Sequence, residues 1–280
     1  MNAGQAIKQL WKELAASNWL VWQAAAAASD RQTELRRTLR KLQRRGHPRA
    51  VGAGNTLIIR DLAEFPADRA ARIYPVAIHG GFGNDFLRLL NVLQATETGW
   101  GVAHAFEAFE RYARTVCALI LIRDAAFLDL AWRGLRKRTP NRRTRPRSYG
   151  GWLIRIQESN PRLQNLWEFC SACLPSVKQS SSHNNRDLIL ADWLQAIDAF
   201  RQAAVHADLL VSRKRWRRLP ARVRRYLQFF QGRSTRLGFV LRPDSRKAQE
   251  AITTLAECGF LLYRGLCELD GVNPREILRK

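Results

Sequence analysis

Arg201 and His206 stand five positions apart in the segment DWLQAIDAFRQAAVHADLLVS, Asp192 to Ser212, and are the two side chains best suited to joint chemistry. A histidine titrates near neutrality and can take or give a proton, while an arginine stays charged and can stabilise a phosphorane-like anion. That pairing would suit metal-free cleavage of RNA, with the imidazole taking the 2′-hydroxyl proton. The spacing alone carries little information. With 39 Arg and five His in the chain, about 0.7 such spacings are expected by accident. Five residues along a straight helix also set two side chains about 140° apart. The pair converges only if the helix distorts or if two subunits meet across a cleft.

The segment that carries the pair is a clean amphipathic run. Ile189, Trp193, Ile197, Phe200, Ala204 and Ala207 recur at steps of three or four, which predicts one buried helical stripe with Arg201 and His206 on its two flanks. Upstream, VAHAFEAFERYARTVCALILIRDAAFLDLAWRGLRK, starting at Val102, places Phe106, Phe109, Ala113, Val116 or Cys117, and Ile120 at helical spacing. Asn160-Pro161 opens a further helix through Leu174, and Asp244 or Ser245 caps a last one, Arg246 to Glu268. Ser176 to Asn185 reads as a polar, mobile connection.

The chain has 280 residues, 46% of them hydrophobic, which is enough to bury a core. Its formal net charge is +23. Such a surface favours a polyphosphate backbone, which gains Coulomb energy and releases counterions on binding. An anionic membrane is the second choice by charge. No apolar run reaches the roughly 20 residues that span a bilayer, and a cytoplasmic, non-membrane protein is expected. The five cysteines lie mostly in apolar helical patterns, which points to a reducing compartment without a disulfide framework. Cys170-Ser-Ala-Cys173 is half of a zinc-ribbon pattern, but a second pair at similar spacing is missing, so no metal and no cofactor are expected.

Residues 1–100 read as a basic helical region with a possible β-hairpin, and 101–280 as a helical bundle. Two helices are predicted first, 3 to 28, with a break at Asn18, and Arg31 to Arg45. Thr56 to Arg60 and Arg72 to His79 follow as short strands. Helices followed by a hairpin resemble a winged-helix module, with Arg31–Arg45 as the groove-entering helix. Gly80 to Asp85 lacks the spacing of a Walker or dinucleotide loop and reads as a turn before a helix from Phe86 to Gln94.

FRQAAVHADLLV on an amphipathic helix, preceded by AFEAFERYARTV, resembles the HEPN superfamily of helical-bundle ribonucleases. The likeness covers roughly Val102 to Glu268, and its sharp motif is Arg201–His206. Where the family usually has a small polar residue, most often Asn, directly after the arginine, this chain has Gln202 instead. The resemblance implies a mainly α, HEPN-like C-terminal bundle. It also implies a homodimeric, metal-independent endoribonuclease of bacterial defence or of a toxin with an antitoxin partner. Arg201 would hold the transferring phosphate and His206 would act as general base or acid. Glu110 or Glu107 would orient them, with Asp198 as a rival ion-pair partner for the arginine. Two basic stretches would track the RNA backbone: Arg142, Arg143, Arg145 and Arg147 in an exposed loop, and Arg213, Lys214, Arg215, Arg217 and Arg218, with Trp216 as a stacking platform. The competing expectation is a non-catalytic nucleic-acid-binding protein, such as a subunit of a ribonucleoprotein complex.

Overall fold

The computed structural model describes residues 2–45, 56–60, 73–78, 83–138 and 145–275. The chain is mainly α and divides into two units, Met1–Ala24 with Ala95–Lys280, and Ala25–Gln94. No helix among the described residues is long and apolar enough to cross a membrane.

Helix α1 runs unbroken from Ala3 to Arg44, where two helices were expected. Asn18 is exposed and does not end it. The Ala24–Ala28 run, made of the strongest helix former, carries the helix through to the basic segment beyond. Asn2 and Gln5 cap its start reciprocally: the Gln5 amide donates to Asn2 Oδ1 (2.8 Å) and the Asn2 amide to Gln5 Oε1 (3.2 Å). Helix α2 is also longer than expected, from Gly83 to Arg123.

In the larger unit, Ile7, Leu10, Leu14 and Val21 of α1 join one core with Val102, Phe106, Phe109, Val116, Cys117 and Ile120 of α2. A 3-10 helix at Ala125–Leu130 leads to α3 (Arg133–Arg138), α4 (Tyr149–Ser159), α5 (Leu163–Cys173) and α6 (Pro175–Ser180). Helix α6 occupies half of the expected loop, because Pro175 at its first turn presets the helical φ. Helix α7 spans Leu190–His206, and Trp193, Ile197, Phe200 and Ala204 of the predicted stripe are buried. It stops short of Ser212: residues Leu210–Ser212 form strand β3 of a three-stranded sheet. Asp208 and Leu209 adopt positive φ (45° and 64°), and that reverses the chain between helix and strand.

Short helices α8 (Arg213–Arg218) and α9 (Ala221–Gln228) follow, then strands β4 (Gly232–Ser234) and β5 (Gly238–Leu241). The sheet is antiparallel with β5 in the middle, in the order β3-β5-β4. Gly238 has φ +152°, and a Cβ there would lie 2.1 Å from the Val211 carbonyl oxygen. Only glycine lets β5 come this close to β3. Helix α10, Ser245–Leu269, completes the unit; the Asp244 side chain caps it by accepting from the Lys247 amide.

The smaller unit holds the basic end of α1, the first turns of α2 and a hairpin of two strands numbered in chain order, β1 (Thr56–Arg60) and β2 (Ile73–Ile78). The strands pair antiparallel, with a bulge at Leu57/Ile58 that faces Pro75, a residue with no amide hydrogen to give the ladder. A winged helix needs two helices joined by a turn ahead of its hairpin. Since α1 is continuous to Arg44, the described residues of this unit have none, contrary to the winged-helix expectation.

Candidate functional site

A cleft with a volume of about 570 Å³ lies between α2, α7, α8 and the segment joining α4 to α5. Arg162, Arg201, Arg215 and Arg218 line it, together with Glu110 and Asp198. Phe106, Pro161, Leu163 and Leu219 supply its apolar surface.

Arg201 is the best-held of the four cations. Its guanidinium lies over the Phe106 ring, 5.4 Å from the centroid. Asp198 Oδ1, one helical turn back, stands 3.4 Å from it, and Glu107 Oε1 of α2 stands 3.6 Å away. The arginine Nε is buried without a hydrogen-bond partner. A group that enters the cleft therefore meets a guanidinium whose orientation is set by one ring and two carboxylates. Asp198 also faces Arg215, at 4.0 Å. Glu110 lines the same cleft but is paired with Arg114, at 2.9 Å on the next turn of α2, so Glu107 is the α2 carboxylate beside Arg201.

His206 is not part of this cleft. It is the last residue of α7 and exposed, and none of the described residues hydrogen-bonds to its ring. The helix stays regular to that point, so the 140° separation stands and one chain does not bring the two groups together. What one chain offers here is anion binding by fixed guanidiniums over an apolar floor, without a nearby imidazole to move a proton.

The remaining expected residues fall into three groups. Arg215 and Arg218 line the cleft, whereas Arg213, Lys214 and Arg217 are exposed on the same short helix and do not. Trp216 stacks on Phe239 of β5, with centroids 4.4 Å apart and planes 12° apart, so one ring face is already covered. Arg145 and Arg147 precede α4 and do not line the cleft; Arg142 and Arg143 lie outside the described residues. The sequence reading missed Arg162. It reaches the cleft because Asn160 ends α4 with φ 41° and turns the chain back towards α7. An Asn-Pro pair just before an arginine was the only local trace of that turn.

The cysteines belong to the core. All five are buried, and Cys117 Sγ lies 3.6 Å from Cys170 Sγ. Burial, with Cys170 beside it, holds the Cys117 thiol well above its ordinary range, and burial pushes Cys258 up to about 12. Thiolates of this kind are not available as nucleophiles near neutral pH. Among the described residues no group of three or more His, Cys, Asp or Glu side chains could hold a metal ion. No family model, no curated protein and no solved structure matches the chain.

Proposed function

We propose that this chain is a basic nucleic-acid-binding protein whose cleft at Arg201 holds the backbone of a single strand. The observation that carries the reading is the set of four arginines converging on one cleft in a chain of net charge +23. Planar guanidiniums pair with phosphate in two-point contacts, and an apolar floor suits an unpaired base or sugar. A cleft of about 570 Å³ has room for a nucleotide or two of a single strand. The absence of His206 from the cleft lining favours binding over catalysis within one chain.

Ribonuclease action is the second reading, and one observation favours it. His206 is exposed at the end of α7, where a second copy of the chain could present it to the first copy's cleft. One experiment separates the two. Single-stranded RNA is incubated in EDTA with wild type, Arg201→Ala and His206→Ala, and both cleavage and binding are followed. On the binding reading no RNA is cut, Arg201→Ala weakens binding about tenfold, and His206→Ala leaves it unchanged. Cleavage by wild type that both substitutions abolish makes the ribonuclease reading the correct one. Wild type that neither cuts nor binds RNA or single-stranded DNA at low salt overturns both.

A further inference from the structure

The order α7-β3-α8-α9-β4-β5, with β5 seated between β3 and β4, is the connectivity of a winged helix: a helix-turn-helix followed by a two-stranded wing. We infer that residues 190–241 form such a module and that it binds duplex DNA, with α9 entering the major groove and the β4–β5 hairpin lying beside it. This site is separate from the cleft at Arg201, and the proposal does not rest on the single-strand reading made there.

Three observations support it. The first is packing. Helix α9 turns Val223 and Leu227 into the core against α7, and Phe230 just beyond it packs on Phe200 with centroids 4.3 Å apart and planes tilted by 39°. The helix is thereby fixed edge-on, with Ala221, Arg225 and Gln228 exposed and Arg224 half-exposed along its outer face. In a helix-turn-helix it is the second helix that enters the groove, and a major groove about 12 Å wide admits one helix.

The second is charge. Among the described residues no carboxylate pairs with Arg224 or Arg225, nor with Arg233 and Arg236 of the hairpin. Arg222, on the side of α9, does pair with Asp192, at 3.1 Å. Unpaired guanidiniums on an outer helix face and on a neighbouring hairpin fit phosphates and base edges, where arginine is the commonest specific contact.

The third is the build of the hairpin. Only three residues separate it from the end of α9, so the two must stay adjacent. Its turn is closed by Thr235, whose amide donates to the Gly238 carbonyl at 2.7 Å and whose Oγ1 accepts from the Gly238 amide at 3.2 Å. Arg236 and Leu237 are held outward at the tip, and Leu237 is 72% exposed. An apolar side chain presented this way has nothing to gain from solvent, but it can contact sugars in a groove. Trp216 on Phe239 and the Arg213 amide on the Leu237 carbonyl (2.8 Å) lock α8 to the same sheet.

The test uses the full chain and three labelled probes of about 20 nucleotides or base pairs: B-form DNA, duplex RNA and unstructured single strand. Arg224→Ala/Arg225→Ala and Arg233→Ala/Arg236→Ala are compared with Arg201→Ala over a salt series. Each of the first two variants is expected to lower duplex DNA affinity at least tenfold. The hairpin pair should also flatten the slope of log K against log salt by about 2. Arg201→Ala should leave duplex DNA binding unchanged. Duplex RNA should bind at least tenfold more weakly, because its deep, narrow major groove admits no helix. The inference is overturned if wild type does not bind duplex DNA at low salt, if duplex RNA competes equally, or if neither double variant changes binding. Failure of the cleft reading shows itself separately, as single-strand binding that Arg201→Ala does not alter.

Discussion

In the cleft, Arg201 lies between Glu107 and Asp198 with an aromatic ring beneath it. On α9 and the β4–β5 hairpin, Arg225, Arg233 and Arg236 reach solvent without a carboxylate beside them among the described residues. Both surfaces add to the same positive total, yet they differ physically. In the cleft, Arg201 and Arg215 stand against carboxylates and Arg201 is also held over a ring, which favours one bound group in one geometry. Arg225, Arg233 and Arg236 are exposed and uncompensated among the described residues, which favours a long polyanion held with strong salt dependence.

The largest effect that would break this contrast is charge reversal on the outer surface. Arg224→Glu with Arg225→Glu should lower duplex DNA affinity by about 100-fold while single-strand binding stays within twofold, both read by fluorescence polarisation. A loss on both probes would mean that the two surfaces are one. Next comes Gly238→Val, which forces a Cβ against the Val211 carbonyl at an unfavourable φ. Thermal unfolding should show Tm lowered by roughly 5–10 °C, with duplex binding lost as the hairpin detaches.

A smaller change is expected from Glu107→Gln combined with Asp198→Asn, which frees the Arg201 guanidinium. Single-strand affinity should rise about three- to tenfold, and stability should shift by less than about 1 kcal/mol because both carboxylates are partly exposed to solvent. A fall in affinity would show that these acids contact the ligand themselves.

The smallest effect concerns the core. Cys258 titrates at about 12 when folded, above its ordinary 9.0, because burial disfavours the thiolate. A raised value favours the folded state below about pH 9, and that contribution is lost as pH climbs towards 12. Denaturant midpoints measured from pH 8 to 11 should therefore fall on the alkaline side. A thiol reagent at pH 8 should label none of the five cysteines until the chain is unfolded.

Much of the fold was legible locally. The stripe Trp193, Ile197, Phe200 and Ala204 is buried as its spacing requires, and Asp244 caps the last helix as its position before a helical pattern suggests. Helix ends were less legible. Asn18 looked like a stop, but the alanines after it sustain the helix, and Ser212 looked helical until β3 found its partner in β5. A three-residue strand has no periodicity of its own; it exists because Gly238 lets another strand lie against it. The same holds for the module around α9. The sequence from Arg213 to Arg225 is strongly basic throughout, and charge alone does not show that the chain breaks into two helices at Leu219-Pro220 or that Val223 and Leu227 pin one face of the second inward.

The sequence by itself determined that the chain would be mainly helical, strongly cationic and built on the buried stripes of α2, α7 and α10, since these follow from composition and a 3.6-residue period. Only the tertiary structure decided which arginines meet carboxylates and which face solvent. It also decided that Arg201 would share a cleft with Arg162, Arg215 and Arg218 rather than with His206. The reason is geometric. Five residues on one straight helix point two side chains apart, while separate helices packed on a common core bring distant cations within reach of one ligand.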